Sequence, residues 1–393
     1  MLRKKNEDLF LNVLFYICFT FLFINEFCKL TVYSMIIPDK LMMIMKVTTY
    51  ILILIKTFFF DRYSPREILI YSLTGVVALI AVYFSNITIL IDTFFFMILL
   101  KNLKMEKVIK FNFILLLVAL VFTIFLSLLN IIPNYEYYRY LTNGKRVTRN
   151  SFGTIYPTVL GSMIYFLYLQ YVLFLGKNRI LLGLIGILLS IFVTYYTDNR
   201  LIFILLFAIG ALILIKIIDS SIIKKYIKMF MILLSFLPII VVYYSYNYIH
   251  FPFLRTINNI VSNRLIISWQ GFQMYPIKLF GQPIIMNGYG ANRILSYGEK
   301  YFYLDSLPVY LILGSGIVVF CLYVLSLFIL VNWSIKINNA MLFICLLSII
   351  LYDLIDDKSL YFILNPAYSL LYIHIIGSKQ DKNFFLNHIN RIA

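Results

Sequence analysis

Three arginines and one aspartate carry the chemistry of an otherwise apolar chain. Arg149 opens the string Arg-Asn-Ser-Phe-Gly-Thr-Ile-Tyr-Pro-Thr-Val-Leu-Gly, in which Gly153 and Pro157 punctuate the approach to an apolar run. Arg200 closes Thr197-Asp-Asn-Arg, and Arg264 sits in Ser262-Asn-Arg-Leu-Ile-Ile-Ser-Trp269. A guanidinium keeps its charge and presents a planar fork of N–H donors, so it suits a diphosphate beside a low-dielectric surface. One arginine at a membrane face is ordinarily explained by its long stem reaching toward water. Three, each in its own polar string, point to phosphate. Asp305 lies between the aromatic string Tyr301-Phe-Tyr303 and Ser306-Leu-Pro-Val-Tyr310. A partly desolvated carboxylate there could take a proton from a sugar hydroxyl. It could equally cap a helix N-terminus, a place Asp favours, and the two roles are compatible.

These residues need a scaffold, and composition names its class. Hydrophobic residues make up 62% of the 393 and charged residues 13%, far below the quarter that is usual in a soluble domain. Apolar runs come near the twenty or so residues that cross about 30 Å of hydrocarbon. The sequence predicts an all-α polytopic integral membrane protein with about twelve transmembrane helices. The expected spans are 9–25, 41–60, 67–84, 87–100, 108–130, 154–175, 180–196, 201–217, 229–246, 304–330, 340–352 and 360–376. The fourth and eleventh are short enough to be re-entrant.

Residues 1–393 read as a single membrane domain with a medium outer loop over 131–153 and a large one over 247–303. The large loop carries Arg255, Arg264, Lys278, Arg293 and Lys300, and Asp305 follows it. A long ordered loop costs conformational entropy and usually signals function. The basic opening Met1-Leu-Arg-Lys-Lys runs into an uncleaved first span. Lysines at 101, 104, 107 and 110 and a cluster over 216–228 fall on one side, so both termini are predicted cytoplasmic. The net charge of +17 is spread over short loops rather than gathered in one patch, which argues against nucleic acid.

Within the large loop, Arg255 to Phe280 has apolar residues near helical spacing and is expected to form an interfacial amphipathic helix. Arg255 and Arg264 would face opposite sides of an unbroken helix, and Arg264, with its polar neighbours, is the better ligand-binding candidate. Lys46 and Asp92 lie inside spans and can pair, a feature read as structural more than as transport machinery. The tyrosines at 135, 137, 138, 140, 297, 301 and 303 suit an interfacial belt or stacking on sugar rings. Cys18, Cys28, Cys321 and Cys345 form no C-x-x-C pair and read as free thiols. Gly288-Tyr-Gly290 lacks the strand–helix setting of a nucleotide fingerprint. His250, His374 and His388 are not placed to share a metal, so no metal and no cofactor is expected.

Taken in order, these strings resemble the O-antigen polymerase and ligase superfamily, specifically the Wzy-type polysaccharide polymerases. The resemblance rests on Arg149 to Gly161, on Thr197 to Arg200, on Asn263-Arg264 with Trp269 and Phe280-Gly281, and on Asp305 with Tyr310 and Gly314. It covers about the C-terminal two-thirds. Thr158 stands where Asn is usual, and Ser306 replaces the Asn expected after the aspartate. The resemblance implies a glycosyltransferase of the bacterial plasma membrane. It would join oligosaccharide repeat units carried on undecaprenyl pyrophosphate at the outer face, among membrane lipid and other polysaccharide-assembly membrane proteins. Arg149, Arg200 and Arg264 would neutralise the diphosphate leaving group and Asp305 would be the base. A lipid-linked oligosaccharide flippase is the rival class, and a ligase-like glycan transferase the nearer alternative.

Overall fold

The computed structural model describes residues 2–140, 144, 146–215, 230, 232–290 and 300–392. Arg293, Tyr297 and the lysine cluster over 216–228 lie outside the described residues. In chain order the main elements begin with helices α1 (Leu2–Lys29), α2 (Asp39–Phe59), α3 (Pro65–Ser85), α4 (Ile89–Leu99) and α5 (Met105–Leu128). A hairpin of β1 (Glu136–Tyr140) and β2 (Arg146–Asn150) comes next. It is followed by α6 (Pro157–Leu175), α7 (Arg179–Thr197), α8 (Arg200–Ile215) and α9 (Leu237–Tyr246). Two short helices, α10 (Leu254–Ile260) and α11 (Arg264–Met274), precede α12 (Leu307–Ile337), α13 (Ala340–Asp353), α14 (Ala367–Ile375) and α15 (Lys379–Ile392).

Among the described residues, seven helices are long and apolar enough to cross a membrane: α1 from Phe10 onward, α2, α3, α5, α6, α7 and α12. α4, α8, α9 and α13 are apolar but shorter. The chain is therefore a multi-pass helical membrane protein. Local signals set many of the helix starts. Ser64 and Glu67 form a reciprocal capping box around Pro65 at the start of α3, and Asn178 and Asn339 cap α7 and α13.

Several elements depart from the sequence-based expectation. The medium loop is not featureless but holds the antiparallel β1–β2 hairpin, with Tyr137 opposite Arg149. Glu-Tyr-Tyr-Arg-Tyr is rich in strand-favouring aromatics, and Gly144, at φ +77°, lies in the connection. The amphipathic helix over 255–280 is two helices, because Ser262 and Asn263 both adopt left-handed backbone between α10 and α11. The apolar run 229–246 is interrupted by a turn at 235–236, and Pro238 opens α9.

The run 360–376 is helical only from Ala367. Phe362, Ile363 and Leu364 are buried as irregular backbone ahead of Pro366. Such backbone survives in an apolar interior only when its polar groups find partners. Gln170 of α6 supplies them, donating to the carbonyls of Ile363 at 3.0 Å and Leu364 at 2.7 Å. Asn112 of α5 adds a bond to Ile363 at 3.0 Å.

Elsewhere, α7 and α8 pack backbone to backbone where a Cβ on Gly183 would lie 2.9 Å from the Gly210 carbonyl. Lys46 does pair with Asp92, at 2.8 Å, and Lys29 joins at 3.3 Å while also holding Glu26 at 2.6 Å. Cys18, Cys28 and Cys345 are buried, Cys321 is exposed, and all four are free.

Replacing Gln170 by Leu keeps the volume and removes the Leu364 partner, while Asn112 still serves Ile363. The cost of one orphaned carbonyl is about 1–3 kcal/mol. It should appear as a lower Tm of the solubilised protein.

Candidate functional site

Gly281, within the large loop, packs directly against Gly314 of α12. Gly281, at φ +80°, lies so close to Gly314 that a Cβ would fall on the Gly314 carbonyl oxygen. Gln282 N–H donates to that carbonyl at 2.9 Å, and the N–H groups of Ile317 and Val318 donate to Lys278 and Leu279 at 3.1 and 3.2 Å. α12 contains a π turn over Leu311–Ser315, after which Gly316 has φ +91°. The break between α10 and α11 is held by Asn258, which donates to Asn263 Oδ1 at 2.9 Å and accepts Ile266 N–H at 3.1 Å.

These constraints bring five segments around one cavity of about 450 Å³. β2 contributes Arg149, the α7–α8 turn contributes Asp198 and Arg200, and α11 contributes Arg264. The segment before α12 contributes Asp305, and the connection after α13 contributes Asp356 and Lys358. All four residues singled out from the sequence, Arg149, Arg200, Arg264 and Asp305, thus line the same space. Arg255 is exposed and is not among the lining residues.

Two of the arginines are anchored alike. Arg149 Nε donates to the Thr197 carbonyl at 2.8 Å, and Arg264 Nε donates to the Ile355 carbonyl at 2.7 Å. Each guanidinium is steadied through its inner nitrogen. Nη1 makes one longer bond, to Tyr156 at 3.4 Å or to the Val261 carbonyl at 3.3 Å. Nη2 of both has no hydrogen-bond partner among the described residues. Arg200, at the first position of α8, is exposed and likewise unpaired among them. Arg139 is different, since it pairs with Asp198 at 3.1 Å.

Asp305 does not cap a helix. Ser306 occupies the N-cap position of α12, without a side-chain capping bond. The Asp305 carboxylate stands 3.5 Å from Arg264 Nε and is about one-fifth exposed (21%). Burial pushes its pKa up to about 7, opposed by Arg264 and reinforced by Asp356. It is therefore close to half-ionised near neutral pH and able to accept a proton.

The sequence reading missed the string Asp356-Asp357-Lys358. Its signal was present, since three consecutive charges between two apolar runs are unusual. All three are buried. Lys358 Nζ pairs with Asp357 and lies 3.4 Å from the Tyr303 hydroxyl. The string Gly288-Tyr-Gly290 also lines this cavity. A second cavity of about 350 Å³ adjoins Asp357, Tyr310 and Tyr361. Among the described residues no group of His, Cys, Asp and Glu could hold a metal ion.

Comparison with protein-family models, with curated proteins and with solved structures finds no match to this chain. What can be said of its class therefore rests on the helices and on the cavity.

The raised Asp305 pKa sets a sign for stability. A carboxyl whose folded pKa lies above its unfolded value favours folding below the unfolded value, and that contribution is lost as pH rises through about 7. Asp305→Asn removes the burden of a buried charge. Its Tm relative to the parent should rise between about pH 5 and about pH 8.

Proposed function

We propose that this protein is a Wzy-type polysaccharide polymerase. It joins repeat units carried on undecaprenyl pyrophosphate at the outer face of a bacterial plasma membrane. The observation that carries the reading is that Arg149, Arg200, Arg264 and Asp305, drawn from segments far apart in sequence, line one cavity. In this reading the chain crosses the membrane about twelve times with both termini cytoplasmic, the four shorter apolar helices and the run 360–376 completing the count.

The chemistry follows from the side chains. The acceptor hydroxyl attacks the anomeric carbon of the donor glycan, the bond to the diphosphate breaks, and the electron pair leaves with the phosphate oxygen. Arg149, Arg200 and Arg264 stabilise the charge that grows there, and prepositioned cations are worth most where water is scarce. Asp305 receives the acceptor proton, a task suited to a carboxylate with pKa near the working pH. The guanidinium groups supply the positive charge, so the reading requires no metal. The second cavity, beyond the wall that carries Asp357, gives room for part of a second substrate.

A flippase would be expected to carry its cations deep within the spans of a central pathway. Here the cations of the cavity come from the hairpin, from the first residues of α8 and α11 and from the connection after α13, which favours the transferase. A ligase-like glycan transferase would use the same leaving group and differ in its acceptor.

Deleting the gene in its host and sizing surface glycan and lipid-linked intermediates tests the reading. Single repeat units at the outer surface with long chains missing are the expected result. Units trapped on the cytoplasmic side would make this a flippase. Complementation with Arg264→Ala or Asp305→Asn, at equal protein level, should lower polymer formation by about 100-fold. Arg264→Lys should recover only part, since it keeps charge but loses the fork. Normal chain lengths with either variant would remove that residue from the mechanism.

A further inference from the structure

Beside the cavity lies a charge cluster that the transfer chemistry leaves without a task. Asp356, Asp357 and Lys358 are consecutive and buried in the connection after α13. Lys358 Nζ pairs with Asp357 and stands 4.0 Å from Asp356 Oδ1. Asp356 Oδ1 also accepts the Lys358 N–H at 3.0 Å and the Tyr352 hydroxyl at 2.8 Å. On the other side, the Tyr303 hydroxyl donates to Asp357 Oδ2 at 3.3 Å, and the Tyr303 carbonyl accepts the Asp305 N–H at 3.2 Å. One tyrosine therefore joins the string to the backbone of Asp305. Two carboxylates against one ammonium leave the string with one negative charge in surplus.

A buried ionic cluster is a poor source of stability, because desolvation offsets most of the attraction. Its position beside the cavity suggests another use. We propose that the Asp356-Asp357-Lys358 string controls the charge carried by Asp305, with Asp356 and Asp357 as positioning residues whose surplus negative charge opposes ionisation of that carboxyl. Tyr301, Tyr303, Arg264, Asp356 and Lys358 line the same cavity as Asp305, with Arg264 3.5 Å from its carboxylate, and Asp357 is tied to Tyr303 behind them. Arg264 draws Asp305 toward ionisation, Asp356 and Asp357 resist it, and Lys358 cancels part of that resistance. The balance leaves a carboxylate that can take a proton from a hydroxyl and later release it to water.

The proposal rests on the polymerase reading for its use, but the charge on Asp305 can be measured without any glycan. Dicyclohexylcarbodiimide modifies protonated carboxyl groups in apolar surroundings. Peptide mass spectrometry of the full chain in nanodiscs, labelled across a pH series, gives the pH at which half of Asp305 is protected. Asp356→Asn and Asp357→Asn are nearly isosteric and remove the surplus charge. Each should lower that midpoint by about one pH unit. Lys358→Met should not lower it, because the string then keeps at least one negative charge even if Asp357 takes up a proton. If one Asn variant fails to fold, the other decides.

Midpoints unchanged in the Asn variants would overturn the proposal, as would an equal fall in Lys358→Met. Failure of the polymerase reading would appear separately, in the glycan sizes, and would leave these midpoints interpretable.

Discussion

Arg264 is the contact on which the cavity depends. Its guanidinium reaches from the first turn of α11 to the carbonyl of Ile355, ninety-one residues away, and faces Asp305 between them. A charge at the edge of an apolar interior must be partnered, and a backbone carbonyl and a carboxylate together meet that need. The interaction requires α11 to begin where it does. That start depends on the left-handed Ser262-Asn263 pair and on the Asn258 side chain that bonds across the break. An unbroken helix through this segment would carry Arg264 elsewhere.

The same economy governs the irregular backbone that frames the cavity. The chain after α13 does not resume helix at once, because it must bring Ile355, Asp356 and Lys358 to the cavity before entering α14. The Ile363 and Leu364 carbonyls freed by that detour are met by Gln170 and Asn112, polar residues on mainly apolar helices. On the opposite side, the close approach of Gly281 to Gly314 lets the loop bond directly to α12 at its π turn. Only glycine leaves room there, and its positive φ is free of the strain other residues would bear.

How much of this was legible in the sequence follows from the range of the forces involved. Arg149, Arg200, Arg264 and Asp305 stood out because each lies in a polar string beside a long apolar run, and that contrast is local. The membrane class was legible for the same reason. The β1–β2 hairpin, the break at Ser262-Asn263 and the non-helical run before Pro366 were not, since hydropathy marks burial without distinguishing helix from buried loop. Asp305 was readable as a helix cap because spacing cannot show that Ser306 takes that place. The string 356–358 is visible as three consecutive charges between apolar runs, but its link to Tyr303, more than fifty residues earlier, leaves no periodic trace.

These contacts give the polymerase reading a physical economy. Arg264 is shared, since it is drawn to Asp305 in the free protein and would be drawn to a diphosphate when one is bound. An anion that engages Arg264 weakens its hold on Asp305, and a carboxylate that loses a cationic neighbour becomes a stronger base. The negative surplus of the buried string pushes in the same direction. Binding of the leaving group and activation of the base are then linked through one side chain. In that reading Asp305 would be a stronger base with a donor diphosphate on Arg264 than without one.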